Sequence, residues 1–288
     1  MFRAIFRLLK KYVPFPIQAV IWKAVHIRTV IQQIASRNPQ TPEEERKIFD
    51  LLKDKFEIVF DVGARNELSF YEMKNDCAYH LFEPNIKFFN QLKKQVDQLN
   101  DHNIKINNFG LSDKMADNCI YYEKSQSFIV NPTLKDGDID TGLRFSLRTL
   151  DDYVAENHIP KIDYLKIDAE GSDYKIILGG LNIIKANKVS YIQFEYWDGI
   201  KKFADMLDNF NLYLMMEPVL LRAINEQIAP LMTPEQKKIN FNKSIIALND
   251  TLIDLIDNTI IPTGNGANVL GVNKYMKNPN IERIIFDL

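Results

Sequence analysis

Asp61, Glu83, Asp168 and Glu195 each stand at the carboxyl end of a short apolar run. The runs are Phe56 to Asp61, Ala78 to Glu83, Ile162 to Asp168 and Val189 to Glu195. Acids in such places are not packing residues. Taken singly, any one of them reads as a helix cap. Four at corresponding ends of one sheet read as a binding site, because ligands of open α/β sheets sit beyond the carboxyl ends of the strands. Asp61 runs into Val62-Gly63-Ala64, a strand-to-helix turn in which glycine lets the backbone come close to a ligand. Glu83 follows Gly63 by twenty residues, the interval at which an acid meets a ribose diol.

Ribose recognition is therefore expected, and a dinucleotide is disfavoured. A pyrophosphate loop needs G-x-G-x-x-G, whereas this turn reads Gly63-Ala64-Arg65-Asn66-Glu67-Leu68. Glu67 would also repel a phosphate at the helix N-terminus. The charge pattern suits a nucleoside without phosphates, and best a cationic one. S-adenosylmethionine, a ribose diol with a sulfonium, meets that description. Displacement at a sulfonium carbon needs alignment of the acceptor and, for a hydroxyl acceptor, a general base. Asp168, Glu170, Glu195 and His80 are the candidate bases. His80 lies within a strand, where a satisfied core histidine is the commoner outcome. Glu170 is equally placed to cap a helix beginning near Ser172. Asp168, Glu195 and a third oxygen could alternatively hold a Mg²⁺ that acidifies a diol, so the metal question stays open.

These residues need a scaffold, and the hydrophobic pattern describes one. A helix over 87–99, with Phe88, Phe89, Leu92 and Val96 on one face, follows Glu83. Further strands are expected at Ile104 to Phe109, Leu212 to Met216 and Ser244 to Leu248, with helices at Tyr174 to Ile184 and near 200–208. Short apolar strands alternating with helices imply a mainly parallel sheet covered on both faces. Residues 114–147 are long for a connection between strands. Inserts of that kind over the ligand edge shape substrate pockets, and this one carries Tyr121, Tyr122, Ser125, Ser127, Asn131 and Arg144.

The blocks Phe60-Asp61-Val62-Gly63-Ala64, Phe82-Glu83-Pro84-Asn85, Gly110-Leu111-Ser112-Asp113, Thr149-Leu150-Asp151-Asp152-Tyr153 and Asp163-Tyr164-Leu165-Lys166-Ile167-Asp168-Ala169-Glu170-Gly171 resemble the FkbM-type family of S-adenosylmethionine-dependent methyltransferases. The last block, followed by Gly179-Gly180, is the most specific. The resemblance covers about residues 56–200, with weaker cover to 250. It implies an α/β, Rossmann-like class I methyltransferase fold with a mainly parallel seven-stranded sheet. It also implies methylation of a hydroxyl on a sugar, glycan or glycolipid. Under it, Asp61, Gly63 and Ala64 form the first cofactor motif, Glu83 with Pro84 meets the ribose, Leu111 and Ser112 line the adenine pocket, and Asp168 and Glu170 face the methyl donor and acceptor. The family's first motif usually runs Asp-x-Gly-Ala-x-x-Gly, and Glu67 stands in place of its last glycine. That departure keeps a second reading open, a catalytically silent domain of this fold serving in binding or assembly.

The 288 residues and 46% hydrophobic content exclude a disordered chain and leave room for a sizeable core. Net charge is −2, so no basic field argues for a nucleic-acid partner. Cys77 and Cys119 lie outside any Cys-x-x-Cys pair, which disfavours structural zinc and fits a reducing, cytoplasmic setting. The charge is uneven. Residues 1–42 hold seven of the 36 basic residues and no acid, so the remainder carries 29 against 38 and a net −9. Phe2, Ile5, Phe6 and Leu9 mark a short amphipathic helix stopped by Pro14 and Pro16, and a second helix follows through Ile34. The segment is too short and too interrupted to span a bilayer. Peripheral membrane contact through residues 1–35 is one reading. Packing on the main domain, or on a second copy in a homodimer, is the preferred one. The expected organisation is a basic helical segment over 1–42, a main domain over 43–250 and a C-terminal extension over 251–288. Thr41-Pro42-Glu43-Glu44 reads as the start of the first main-domain helix, with Ile48, Leu51 and Leu52 as its buried face.

Overall fold

The computed structural model describes residues 42–124, 127–130, 140–196, 199–215, 234–235, 245–258 and 267–275. The basic N-terminal segment, Thr41, Ser125 and Asn131 lie outside the described residues.

Helix α1 (Pro42–Leu52) opens the described chain with proline at its first position, where the missing N–H costs nothing. Its buried face is Ile48, Phe49 and Leu52; Leu51 turns to solvent. Strand β1 (Ile58–Val62) follows, then the short helix α2 (Ser69–Met73), β2 (Ala78–Phe82), α3 (Ile86–Leu99) and β3 (Ile104–Asn107). The α3 helix is capped by Asn85, whose side chain accepts the Lys87 N–H at 3.0 Å, and it ends on Asn100 in the left-handed region.

β4 (Gly110–Leu111), β5 (Ala116–Lys124), β6 (Ser127–Val130) and β7 (Asp140–Arg148) come next, before α4 (Leu150–Glu156). The long connection is thus a second, four-stranded sheet of order β4-β7-β5-β6. Its own small core is Cys119, Phe145 and Leu147. β8 (Ile162–Ile167), α5 (Asp173–Leu178), α6 (Leu181–Lys185), β9 (Val189–Tyr196), α7 (Lys201–Met206), β10 (Phe210–Met215), β11 (Ile245–Ala247), α8 (Asp250–Asn258) and β12 (Ala267–Asn273) complete the fold.

The helix expected over 174–184 is broken at Gly179-Gly180. A Cβ on Gly179 would stand 2.0 Å from the Ser112 carbonyl oxygen, so that glycine is the residue that lets the helix pair close on the strand edge.

The main sheet has eight strands in the order β11-β10-β12-β9-β8-β1-β2-β3. Those from β3 to β9 are parallel, and β12 and β11 run antiparallel to their neighbours. Period-2 alternation sends successive residues to opposite faces. In β1, Val59 joins a core with α1, α2 and α3, while Phe60 joins one with α4, α5, α6 and α7. Residues 267–273, expected in an extension without a motif, form a strand of this sheet.

Candidate active site

The carboxyl ends of β1, β2 and β8 lie side by side, with Val62 level with Phe82 on one side and Ile167 on the other. Beyond them opens a cleft that encloses about 710 Å³ of non-atom space, open solvent included. Gly63, Glu83, Pro84, Leu111, Asp168 and Glu170 line it, all of them sequence candidates. Asp61, Ala64, Ser112 and Glu195 are not among its lining residues.

Gly63 closes β1 with φ +87°, and its N–H donates to the Phe82 carbonyl at 3.0 Å. A Cβ there would stand 1.9 Å from the Asp168 carbonyl oxygen. The close approach that this glycine permits is therefore to the neighbouring strand end, which draws β1 and β8 together at the cleft floor.

Glu83 is buried at 3% exposure. Its Oε2 accepts the Arg65 N–H at 2.9 Å and its Oε1 accepts the Asn85 N–H at 2.7 Å. Burial pushes its carboxyl above the usual range, and the two N–H groups and the Arg65 charge pull back. Each oxygen keeps a lone pair for a further donor, the arrangement a vicinal diol needs. Phe82, Pro84, Leu111 and Leu147 supply apolar wall beside it.

On the β8 side, Lys166 is buried with its Nζ 3.4 Å from Asp61 Oδ1 and 3.4 Å from Asp168 Oδ2. Lys166 Nζ donates a long hydrogen bond to Asp168 Oδ2, whereas its contact with Asp61 is ionic and Asp61 Oδ1 has no hydrogen-bond partner. Burial raises the Asp61 pKa and Lys166 opposes the rise. Asp61 thus stands behind the floor as half of a buried ion pair. Glu170 has φ +49° and is followed by Gly171 at +91°, a left-handed pair that lifts residue 170 out of the strand direction. Burial raises its pKa, Asp168 raises it further and Arg65 lowers it. No side-chain cap serves the N-terminus of α5, so Glu170 is free of the capping role.

Ala64 is buried in the core, with its N–H on the Phe82 carbonyl at 3.2 Å. The Ser112 N–H donates to Arg148 O at 2.9 Å, and its hydroxyl bonds Asp113 at 3.0 Å. Glu195 lies within β9, opposite Asn268 of β12, and its N–H donates to Asp173 Oδ1 at 3.0 Å. His80 does not line the cleft. Its Nδ1 is 2.7 Å from the Tyr153 hydroxyl, its ring packs on Phe60, and burial followed by Lys105 pushes its pKa down to about 4. Glu67 does not line the cleft; it bonds Ser69 and lies 3.9 Å from Arg46.

Three residues at or beside the cleft were not anticipated. Arg65 has φ +52°, and its guanidinium carbon lies 5.4 Å from the centre of the Phe88 ring. Asp173 is buried at 1% exposure and joins β8 to β9 by accepting the Ala169 and Glu195 N–H groups. Lys166 is the third. An arginine after a Gly-Ala turn was the one readable signal; the other two depend on burial that local sequence does not display.

A parallel sheet that reverses at β1, with a ribose-type carboxylate after β2 and an apolar wall after β3, defines a class I S-adenosylmethionine-dependent methyltransferase. The residues lining the cleft fit such a donor: Glu83 would meet the ribose, Phe82 and Leu111 the base, and Asp168 and Glu170 the cationic end. The family model of the methyltransferase FkbM domain matches residues 61–215, and the chain belongs to that family.

No curated protein matches the chain. Among solved structures it is similar to precorrin-6y C5,15-methyltransferase from Geobacter metallireducens (9% identity, 81% of this chain and 89% of that one, TM-score 0.37). It is also similar to an rRNA methylase from Streptococcus thermophilus (10%, 80% and 93%, TM-score 0.40). A third likeness is to a Streptococcus mutans protein in complex with SAH (10%, 82% and 99%, TM-score 0.40).

Among the described residues, no group of three or more His, Cys, Asp or Glu side chains could hold a metal, so the Mg²⁺ alternative has no support there. No helix among them is long and apolar enough to cross a membrane.

Proposed function

We propose that this methyltransferase acts on a hydroxyl of a sugar, glycan or glycolipid. The observation that carries the reading is Glu170, a half-buried carboxyl on a left-handed turn at the cleft with its pKa raised by burial and by Asp168. A carboxylate tuned upward is a better proton acceptor near neutral pH, and a sugar hydroxyl needs one as its oxygen becomes a nucleophile. S-adenosylmethionine, when bound, supplies an electrophilic methyl carbon on a neutral leaving group. Glu170 takes the hydroxyl proton. Asp168, held by Lys166, stands beside it. Glu83 fixes the nucleoside through its two free lone pairs, and Phe82 and Leu111 keep water from that end.

The second sheet supports an extended acceptor. It is rooted in the cleft wall, where Gly110 of β4 pairs with Leu147 of β7, and both residues line the cleft. A sheet rooted in the cleft wall offers an acceptor surface beyond the cleft itself, which suits a chain of sugar units better than a compact metabolite.

The test is transfer of labelled methyl to a panel of glycans, glycolipids, small hydroxyl compounds and RNA, followed by linkage analysis of the product. A methyl ether on a sugar is expected, with the rate reduced about 10²- to 10⁴-fold by Glu170→Gln and S-adenosylhomocysteine affinity little changed. The acidic limb of the wild-type pH–rate profile should vanish in that variant. Label confined to nitrogen or carbon atoms would end the hydroxyl reading, and label confined to the ribose 2′-oxygen of RNA would end the glycan reading.

A further inference from the structure

We infer that Arg65 is the residue that binds the α-carboxylate of the methyl donor's amino-acid tail. The inference rests on the donor assignment above and adds to it the one contact that assignment leaves unfilled. Among the described residues lining the cleft, the charged side chains are Glu83, Asp168, Glu170 and Arg65. Three are anionic. They answer the hydroxyls, the sulfonium and the ammonium of the donor. None can answer its carboxylate, which would be repelled by every one of them. Arg65 alone has the complementary charge, and a guanidinium fork matches a carboxylate in two parallel hydrogen bonds.

Three independent features place it for this work. Its own N–H is bonded to Glu83 Oε2 at 2.9 Å, so the residue begins where the nucleoside is held. Its side chain lies on the Phe88 ring with the guanidinium carbon 5.4 Å from the ring centre, and Phe88 itself lines the cleft. A cation–ring contact uses none of the guanidinium N–H donors as hydrogen bonds, which leaves them for a ligand. Its influence reaches both sides, because the charge of Arg65 acts on Glu83 and on Glu170 together. The donor's tail must run between those same two carboxylates.

The backbone adds a fourth indication. Arg65 sits at φ +52°, a region that a bulky side chain seldom enters and that glycine or asparagine enters easily. Keeping arginine there carries a conformational cost, which the arginine side chain must offset.

The experiment is calorimetric titration of two probes, S-adenosylhomocysteine and methylthioadenosine, into the wild type, Arg65→Asn and Arg65→Lys. The probes share the nucleoside, and only the first has the amino-acid tail. Asparagine accepts the left-handed backbone, so the fold is retained, and a thermal melt checks this. The wild type is expected to prefer S-adenosylhomocysteine. Arg65→Asn should weaken that probe by about 10- to 100-fold and leave methylthioadenosine nearly unchanged. Arg65→Lys should recover part of the loss.

An equal loss for both probes, or no loss for either, overturns the assignment of Arg65. So does a variant that binds both probes normally yet raises the acceptor KM, because the arginine then reads an anion on the acceptor. Failure of the wild type to bind either probe would sink the donor assignment itself, an outcome distinct from all of these.

Discussion

If Glu83 holds the ribose as proposed, replacing it with alanine removes that contact at one atom pair per hydroxyl. Each Glu83 oxygen already accepts one backbone N–H, from Arg65 at 2.9 Å and from Asn85 at 2.7 Å, so each has one site left. Two hydroxyls filling those sites make two charge-assisted hydrogen bonds. At about 1.5 kcal/mol each, the low end for bonds to a charged group, the loss is about 3 kcal/mol. That is roughly a 150-fold rise in Kd. Glu83→Gln keeps the shape and one acceptor oxygen, and about a tenfold loss is expected.

The assay is calorimetry with S-adenosylhomocysteine and methylthioadenosine. Both contain the ribose, so both should weaken by the same factor, in contrast to the Arg65 variants. The pH dependence has a definite sign. Burial raises the Glu83 pKa, so affinity holds while the carboxyl is ionised and falls as pH drops through that raised value. Folding has its own penalty, because Glu83→Ala strands two N–H groups. A melting curve therefore accompanies each titration. A folded Glu83→Ala protein whose Kd moves less than threefold would refute the reasoning.

Lys166→Met should cost about 3 kcal/mol of stability, since it strands Asp61 in a buried place and leaves Asp168 partly exposed without its cation. Urea unfolding would show it, and the loss should be smaller at pH 5 than at pH 8, because Asp61 then escapes by taking a proton; a loss independent of pH contradicts this. Asp173 is held up at about 7 by burial, against the pull of the Glu195 and Ala169 N–H groups. Its folded pKa exceeds its unfolded value, so its contribution favours the folded state at low pH and is withdrawn as pH rises toward 7. The stability of the wild type relative to Asp173→Asn should accordingly shrink between pH 5 and pH 8, and a constant gap in paired melts would show that Asp173 does not titrate in this range.

The parallel core was legible because β1, β2, β8 and β9 are nearly continuous apolar runs, the pattern of strands buried on both faces. The second sheet was not. β5 carries Asp117, Asn118 and Glu123, and its register against β7 shifts between Ala116 and Cys119 and again between Ile120 and Tyr122. Those irregularities break the period-2 signal. β12 was missed for another reason. It contains Gly271, and a Cβ at that glycine would lie 2.5 Å from the Ile192 side chain. Close packing there required the residue type that most weakens a strand prediction.

Of the residues lining the cleft, Glu83 was singled out by its interval after Gly63, and Asp168 and Glu170 by their block. The part played by Gly63 was only half legible: its need for a positive φ follows from the turn, but its neighbour, the Asp168 carbonyl, is a hundred residues away. Arg65 and Asp173 gain meaning from backbone conformation and burial, which no local pattern encodes.

The position of β12 has a bearing on how the chain is made. β10 contacts the rest of the sheet through β12, with Tyr213 opposite Leu270 and Val269 in turn opposite Phe194 of β9. During synthesis β10 and β11 emerge long before residues 267–273. The strands that carry Asp61, Glu83 and Asp168 can pair as they leave the ribosome, because each partner is already present or soon follows. The outer pair has no neighbour to join until β12 arrives, and β9 shows an open hydrogen-bonding edge in the interval. A ribosome stalled just before residue 267 would therefore hold a nascent chain with β1, β2 and β8 in register and two strand edges bare, the form in which chaperone capture or self-association competes with completion.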